Sequence, residues 1–221
     1  MKTPPTAQVN NYSIGEEIAN STLHGIGSLL AIAGLVLLSQ KTRGFPGGQK
    51  LSNQDFAAVL LFAISMIFMF LVSTLYHAVQ HRGAKHILRR LDHSVIFIFI
   101  AGTYSPFCLS ALEGAWGLSL FVFEWSLALL GIILNILDSR FFRKIQIAVY
   151  LMMGWAIIIG FVPLVRSVPV RSIILLIAGG VAYTIGTIWY RKKNIRFTHA
   201  IWHVFVLIGT ICHWFSIWYL L

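Results

Sequence analysis

Polar residues along this chain gather into short clusters, and between them run stretches of about 20 residues in which nearly every side chain is apolar. A helix rising about 1.5 Å per residue needs that length to cross the hydrocarbon core of a bilayer. Seven such stretches are read at 17–39, 55–79, 90–110, 115–137, 143–162, 170–190 and 198–220. Gly44, Pro46, Gly47 and Gly48 interrupt the chain after the first, and Pro163 and Pro169 flank the connection after the fifth. The pattern predicts an all-α integral membrane protein, a seven-transmembrane helix bundle. Residues 1–16 form a short polar tail and 17–221 the membrane domain, with no internal repeat or low-complexity stretch. The tail carries no apolar run of the kind a cleaved signal peptide has, so the first span is expected to serve as its own insertion signal.

Composition agrees. Only 11% of the 221 residues are charged and 57% are hydrophobic, whereas an ordinary soluble domain carries about 25% charged residues. The net charge of +10 raises nucleic acid as a partner. The basic residues fall between apolar spans, however, without a phosphate-binding loop or zinc-finger spacing, so no nucleic-acid role is read. They report topology instead. Seven spans put the termini on opposite sides. The N-terminal side holds Lys2, Arg82, Lys85, Arg89, Arg90, Arg140, Arg143, Lys144, Arg191, Lys192, Lys193 and Arg196; the other holds Lys41, Arg43, Lys50, Arg166 and Arg171. Positive residues favour the cytoplasm, so the N-terminus is predicted cytoplasmic and the C-terminus outside. Cys108 and Cys212 sit in apolar runs with no metal-type spacing and read as small packed hydrophobes.

This orientation brings unusual polar groups to one level. Ser73 and His77 occupy the last turns of the second span, Asp92 the first turn of the third, and His199 and His203 the start of the seventh. The first span contributes Glu17, Asn20 and His24. His199 and His203 are four apart and share a face, as do Ser73 and His77; Glu17, Asn20 and His24 follow one stripe. Lipid cannot satisfy such stripes, so they should face the bundle interior. Three neutral imidazoles, from His77, His199 and His203, suit zinc and leave a fourth tetrahedral position for water, the arrangement of a catalytic site. Asp92 can accept that water's proton, Ser73 can hydrogen-bond Asp92 or the water, and Glu17, Asn20 and His24 can orient the ligands.

Each residue also has a plainer reading. The histidine pair can bridge neighbouring backbones, Asp92 can pair with Arg89 or Arg90, Ser73 can be a packing serine, and Glu17 can cap its helix with Asn20 and His24 linking helices. His81, His86 and His93 border a basic connection and read as interfacial, and His213 as a packing histidine. Glu124 lies within the fourth span, where an ionised carboxylate is costly, and is protonated, paired or beside water. Trp116 and Tyr190 fit interfacial belts.

The set Glu17-x-x-Asn20-x-x-x-His24, Ser73-x-x-x-His77, Leu91-Asp92-His93-Ser94 and His199-x-x-x-His203 resembles the hemolysin III branch of the progestin and adipoQ receptor family, over essentially the whole chain. The resemblance implies a seven-helix fold with an inward N-terminus and Zn2+ near the cytoplasmic side, held by His77, His199 and His203. It makes Asp92 the water-binding acid and Ser73 its supporting serine. Relatives such as adiponectin receptors and alkaline ceramidases imply hydrolysis of a lipid amide, and the bacterial branch implies the cytoplasmic (inner) membrane and membrane lipid homeostasis. A long cytoplasmic N-terminal domain like that of the adiponectin receptors is missing, which argues against a protein-hormone receptor.

The leading expectation is therefore a zinc-dependent membrane hydrolase acting on an amide or ester bond in a membrane lipid. The alternatives are a non-enzymatic sensor or receptor whose structural zinc is closed by His24 as fourth ligand, and a pore or transporter, motivated by Glu124 and the haemolysin name. No feature of the pattern specifies an oligomer.

Overall fold

Each apolar stretch closes its backbone hydrogen bonds within itself, as a chain in hydrocarbon must. The computed structural model describes residues 12–112, 114–192 and 194–221. Among them seven helices are long and apolar enough to cross a membrane: α1 (Ile14–Thr42), α2 (Asn53–Ala78), α3 (Arg82–Ala111), α4 (Gly114–Ile136), α5 (Arg140–Ser167), α6 (Val170–Arg191) and α7 (Thr198–Leu220). No strand occurs among the described residues. The all-α, seven-span architecture is borne out. Residues 1–11 of the predicted tail, with Lys2, and Lys193 of the charge count lie outside the described residues.

Helix starts follow capping chemistry rather than hydrophobicity. The Ser13 hydroxyl accepts from the Glu16 N–H, and the Glu16 carboxylate accepts from the Ser13 N–H at 2.9 Å. This reciprocal box begins α1 ahead of the apolar run and satisfies two otherwise orphaned donors. Ser52 and Asp55 do the same for α2. The largest departure is α3, which begins at Arg82 rather than at residue 90. His81 caps it, its Nδ1 accepting from the Ala84 N–H at 3.3 Å. The basic cluster read as a connection is therefore helical, and Asp92 stands about three turns into α3 instead of in its first turn.

Sequential helices pack side by side from α1 to α4, α6 pairs with α7, and α7 closes against α1. Glycine permits one close approach that matters for the site. A Cβ on Gly27 of α1 would lie 2.5 Å from the ring of Phe70 on α2, so only a bare Cα lets these helices meet. Bulky apolar side chains such as Leu29, Ile133 and Ile158 project outward, as lipid-facing positions should. α3 and α5 are irregular in their second halves. After Pro106, α3 makes a π turn over Phe107–Ala111, and α5 narrows to a 3-10 stretch over Ala156–Gly160. Tyr104 bridges the break: its hydroxyl donates to the Met153 carbonyl at 2.7 Å and accepts from the Ile157 N–H at 2.9 Å. Backbone freed by an irregular turn is thus satisfied inside the protein.

Candidate metal centre

Two helix ends supply the three histidines of the centre. His77 closes α2, while His199 and His203 stand on one face of the first two turns of α7. Each offers one ring nitrogen, and the three nitrogens lie within 4.8 Å of one another. His77 Nε2 and His203 Nε2 are 3.2 Å apart. Two nitrogens on a tetrahedral zinc, each bonded at about 2.0–2.1 Å, are separated by about 3.3 Å, so this pair already has the spacing of shared ligands. His77 is fully buried and His203 nearly so, whereas His199 is half-buried with its Nε2 shielded from solvent.

The tautomer of His77 follows from its other nitrogen. Nδ1 lies 2.7 Å from Glu17 Oε2. A carboxylate only accepts, so Nδ1 carries the proton and Nε2 presents its lone pair to the trio. The Asn20 amide sits 3.4 Å from the same Nδ1. Glu17 Oε1 in turn receives Lys85 Nζ at 2.5 Å, with both side chains buried. Glu17 therefore does not cap α1; Ser13 and Glu16 do that. Glu16 also accepts from the Phe197 N–H at 2.8 Å, which ties the start of α1 to the turn that launches α7. Phe197 adopts a left-handed conformation, φ 61°, and that turn aims His199 inward.

All eight sequence-predicted residues converge here. The His24 ring meets the His203 ring at a centroid distance of 3.9 Å, and neither His24 nitrogen has a partner among the described residues. Asp92 is buried beside Ser73 and within electrostatic range of His77 and Arg89. Arg90, its other suggested partner, instead reaches Asp138 at 3.3 Å. His24, Ser73, Asp92, His199 and His203 line one end of a cavity of about 850 Å³ that runs between α3, α5, α6 and α7. Beyond that end its walls are mainly apolar, with Phe99, Ile147, Leu176 and Val206 among them.

Other expectations fall differently. His93 and Tyr190 line this cavity rather than an interfacial belt; the Tyr190 ring lies 5.6 Å from that of His199. His213 packs as expected, its Nε2 donating to the Leu176 carbonyl at 3.1 Å. Glu124 is fully buried, and neither carboxylate oxygen has a hydrogen-bond partner among the described residues. Cys108 and Cys212 are free. Two residues at the centre escaped the sequence reading. Lys85 reads from the sequence only as topological charge, although it stands seven residues before Asp92 and so on the same helical face. Tyr12 belonged to the tail, yet its ring stacks on His199 at 4.9 Å, and no sequence signal marks it.

Comparison with known proteins agrees with this assembly. A family profile described as haemolysin-III related matches residues 12–214. The chain is 43% identical to a hemolysin-3 homolog of Bacillus subtilis over 93% of its length and 94% of that protein. It is 37% identical to hemolysin-3 of Bacillus cereus over 92% of its length and 91% of that protein. The human monocyte to macrophage differentiation factor is 26% identical over 92% of this chain and 83% of its own. With that match over nearly its whole length, the hemolysin III resemblance of its motifs and a seven-span bundle that brings three histidine nitrogens together, this integral membrane protein belongs to the haemolysin-III related family.

Proposed function

We propose that this protein is a zinc-dependent membrane hydrolase that cleaves an amide or ester bond in a lipid, in the service of membrane lipid homeostasis. The observation that carries the reading is the position of His199 and His203, two of the trio, with Asp92 at the polar end of one long cavity whose remaining walls are mostly apolar. A reactive headgroup bond and an acyl chain need that pairing of surfaces in one space. Zinc fits the donor set, because three imidazoles whose nitrogens lie within 4.8 Å of one another, one pair of them at near-tetrahedral spacing, leave a position open. Bound there, it supplies Lewis-acid polarisation of a carbonyl and lowers the pKa of water to about 7.

The chain's own residues supply the rest. Asp92 accepts the proton of the attacking water and delivers it to the leaving nitrogen or oxygen. Ser73 beside it holds the carboxylate in position. Glu17, anchored by Lys85, keeps His77 in the tautomer that leaves Nε2 available. Phe99, Ile147, Leu176 and Val206 hold the chain and exclude bulk water. The basic residues at the trio's end of the bundle support a cytoplasmic location for that end by the positive-inside rule, and relatives in Bacillus support the cytoplasmic membrane as its home.

The test is Asp92→Asn in purified, zinc-loaded protein assayed against a panel of lipid amides and esters. Turnover should fall by at least about a hundredfold, within the range for loss of a general base, while zinc content stays near that of the parent. Full turnover in the variant removes Asp92 from the chemistry. Absence of any turnover by the parent across the panel rejects the hydrolase.

His24 supports a second reading, a receptor with structural zinc. Its ring touches His203 and neither of its nitrogens has a partner among the described residues. X-ray absorption of the zinc-loaded protein separates the two readings: four nitrogen ligands favour the closed structural site, and three nitrogens with one oxygen favour the hydrolase.

A further inference from the structure

The deep end of the cavity carries polar groups that the chemistry above does not use. Ten residues along α7 separate His203 from His213, about 15 Å of helical rise, and both line the same cavity. The His213 ring is held on two sides. A Cβ on Gly179 would collide with it, so α6 leaves it a bare backbone to rest against, and Tyr183 meets it edge-on at 5.3 Å.

Hydrogen-bond roles at this end are fixed by what each group touches. His213 Nε2 lies against the Leu176 carbonyl, which only accepts, so Nε2 carries the proton. An imidazolium here would be a buried charge without a counterion, so the ring is neutral and Nδ1 is an acceptor. That atom is buried and has no partner among the described residues. The Thr210 hydroxyl gives its proton to the Val206 carbonyl at 2.8 Å, which leaves Tyr183 to donate to Thr210 at 2.9 Å. The Tyr183 oxygen therefore retains only acceptor capacity. The neighbouring wall donors are likewise committed: Trp155 Nε1 to Thr184, Tyr104 to Met153, Thr103 to Phe99 and Thr184 to Gly180.

Acceptors are thus on offer where these donors are spent. A carboxylate or phosphate is the wrong partner for such a surface, and an ammonium would lack a counterion. A neutral hydroxyl matches it. We propose that the deep end of the cavity is a hydroxyl-recognition subsite, and that the preferred lipid carries a hydroxyl on its chain about 15 Å from the histidine trio. The inference rests on the reading of the cavity as a lipid site, and selects among lipids by chain chemistry.

The test measures binding, whether or not cleavage occurs. Zinc-loaded full-length protein in nanodiscs is titrated with stearoyl amide and with hydroxystearoyl amides whose hydroxyl is stepped along the chain. One hydroxyl position should bind about tenfold tighter than the plain chain, the worth of one buried hydrogen bond. The preference should vanish in His213→Phe, which keeps an aromatic ring, and weaken in Tyr183→Phe, which also serves if the first variant does not fold. Equal binding of plain and hydroxylated chains overturns the subsite, since water then suffices for Nδ1. So does a preference that survives both substitutions. Failure of every chain to bind overturns the subsite and the lipid reading together. Preference without cleavage keeps the subsite and rejects the hydrolase, whereas cleavage without preference does the reverse.

Discussion

Glu17 Oε2 lies 2.7 Å from His77 Nδ1, and this one contact decides which nitrogen of His77 faces the trio. Glu17→Gln removes the negative charge and offers an amide donor toward an N–H. Zinc affinity should fall about 10- to 100-fold, the usual loss for a partner that orients a ligating imidazole, with the helical content retained. Competition against a chelator of known affinity reads the change. Unaltered affinity would show that something other than Glu17 sets the His77 tautomer.

Lys85 is the counterion in this arrangement, at 2.5 Å from Glu17 with both groups buried. Lys85→Met leaves the carboxylate under-compensated in an apolar setting, and breaking such a pair costs about 3–5 kcal/mol. The double variant Glu17→Gln/Lys85→Met removes both charges and should recover much of the lost stability. Thermal denaturation of the three variants forms a double-mutant cycle. Simple additivity of the two single effects would place the pair outside the stabilising core.

His77→Ala and His203→Ala should each abolish stoichiometric zinc binding, because two remaining imidazoles cannot hold the ion tightly. Metal content by elemental analysis checks this. Zinc should also raise the melting temperature of the parent and leave that of either variant unchanged, since only a ligand that binds the native state stabilises it. Equal zinc content in parent and both variants contradicts the site.

The spans were legible because apolar stretches of bilayer length have few alternatives, and the eight site residues because polar stripes in such stretches must turn inward. The beginning of α3 was not. A basic amphipathic segment reads alike as a loop or as a helical turn, and the His81 cap that decides it is not a common N-cap residue. That error concealed Lys85, whose role depends on the helix reaching far enough back to bring it to Glu17. Tyr190 reads as interfacial, and Tyr12 only as part of the tail, for a related reason. An aromatic ring near a span end serves an interface or a site equally well, and only packing against His199 separates the two.

Asp138 offers a pH prediction outside the membrane. Partial burial raises its pKa, but the hydrogen bond and charge of Arg143, with Arg90 nearby, outweigh this and hold it below the ordinary value of 3.8. A carboxyl depressed in the folded state contributes stability above its unfolded pKa and loses that contribution as pH falls through the folded one. Asp138→Asn tolerates the same left-handed backbone, φ 55°. It should therefore lower the melting temperature slightly at neutral pH, and the difference should close below pH 3.8. A difference that persists in acid would point to backbone geometry instead of charge.

Gly27 links helix packing to the metal centre. Its missing Cβ is replaced by the Phe70 ring, which meets His24 edge-on at 5.2 Å, and His24 meets His203 at 3.9 Å. Gly27→Ala inserts a methyl 2.5 Å from the ring carbons of Phe70, and Phe70 is itself buried with little room to turn. Overpacking of this kind costs about 1–3 kcal/mol. Displacement of Phe70 should also pass through His24 to His203 and weaken zinc binding. Phe70→Leu in the same chain opens space and should restore part of both. Gly154→Ala is the control, because nothing lies within 4 Å of its added Cβ, and it should leave zinc binding unchanged. Melting curves and zinc titrations on the four proteins test the chain of contacts. A Gly27→Ala variant that loses stability yet binds zinc as the parent does would confine the contact to helix packing.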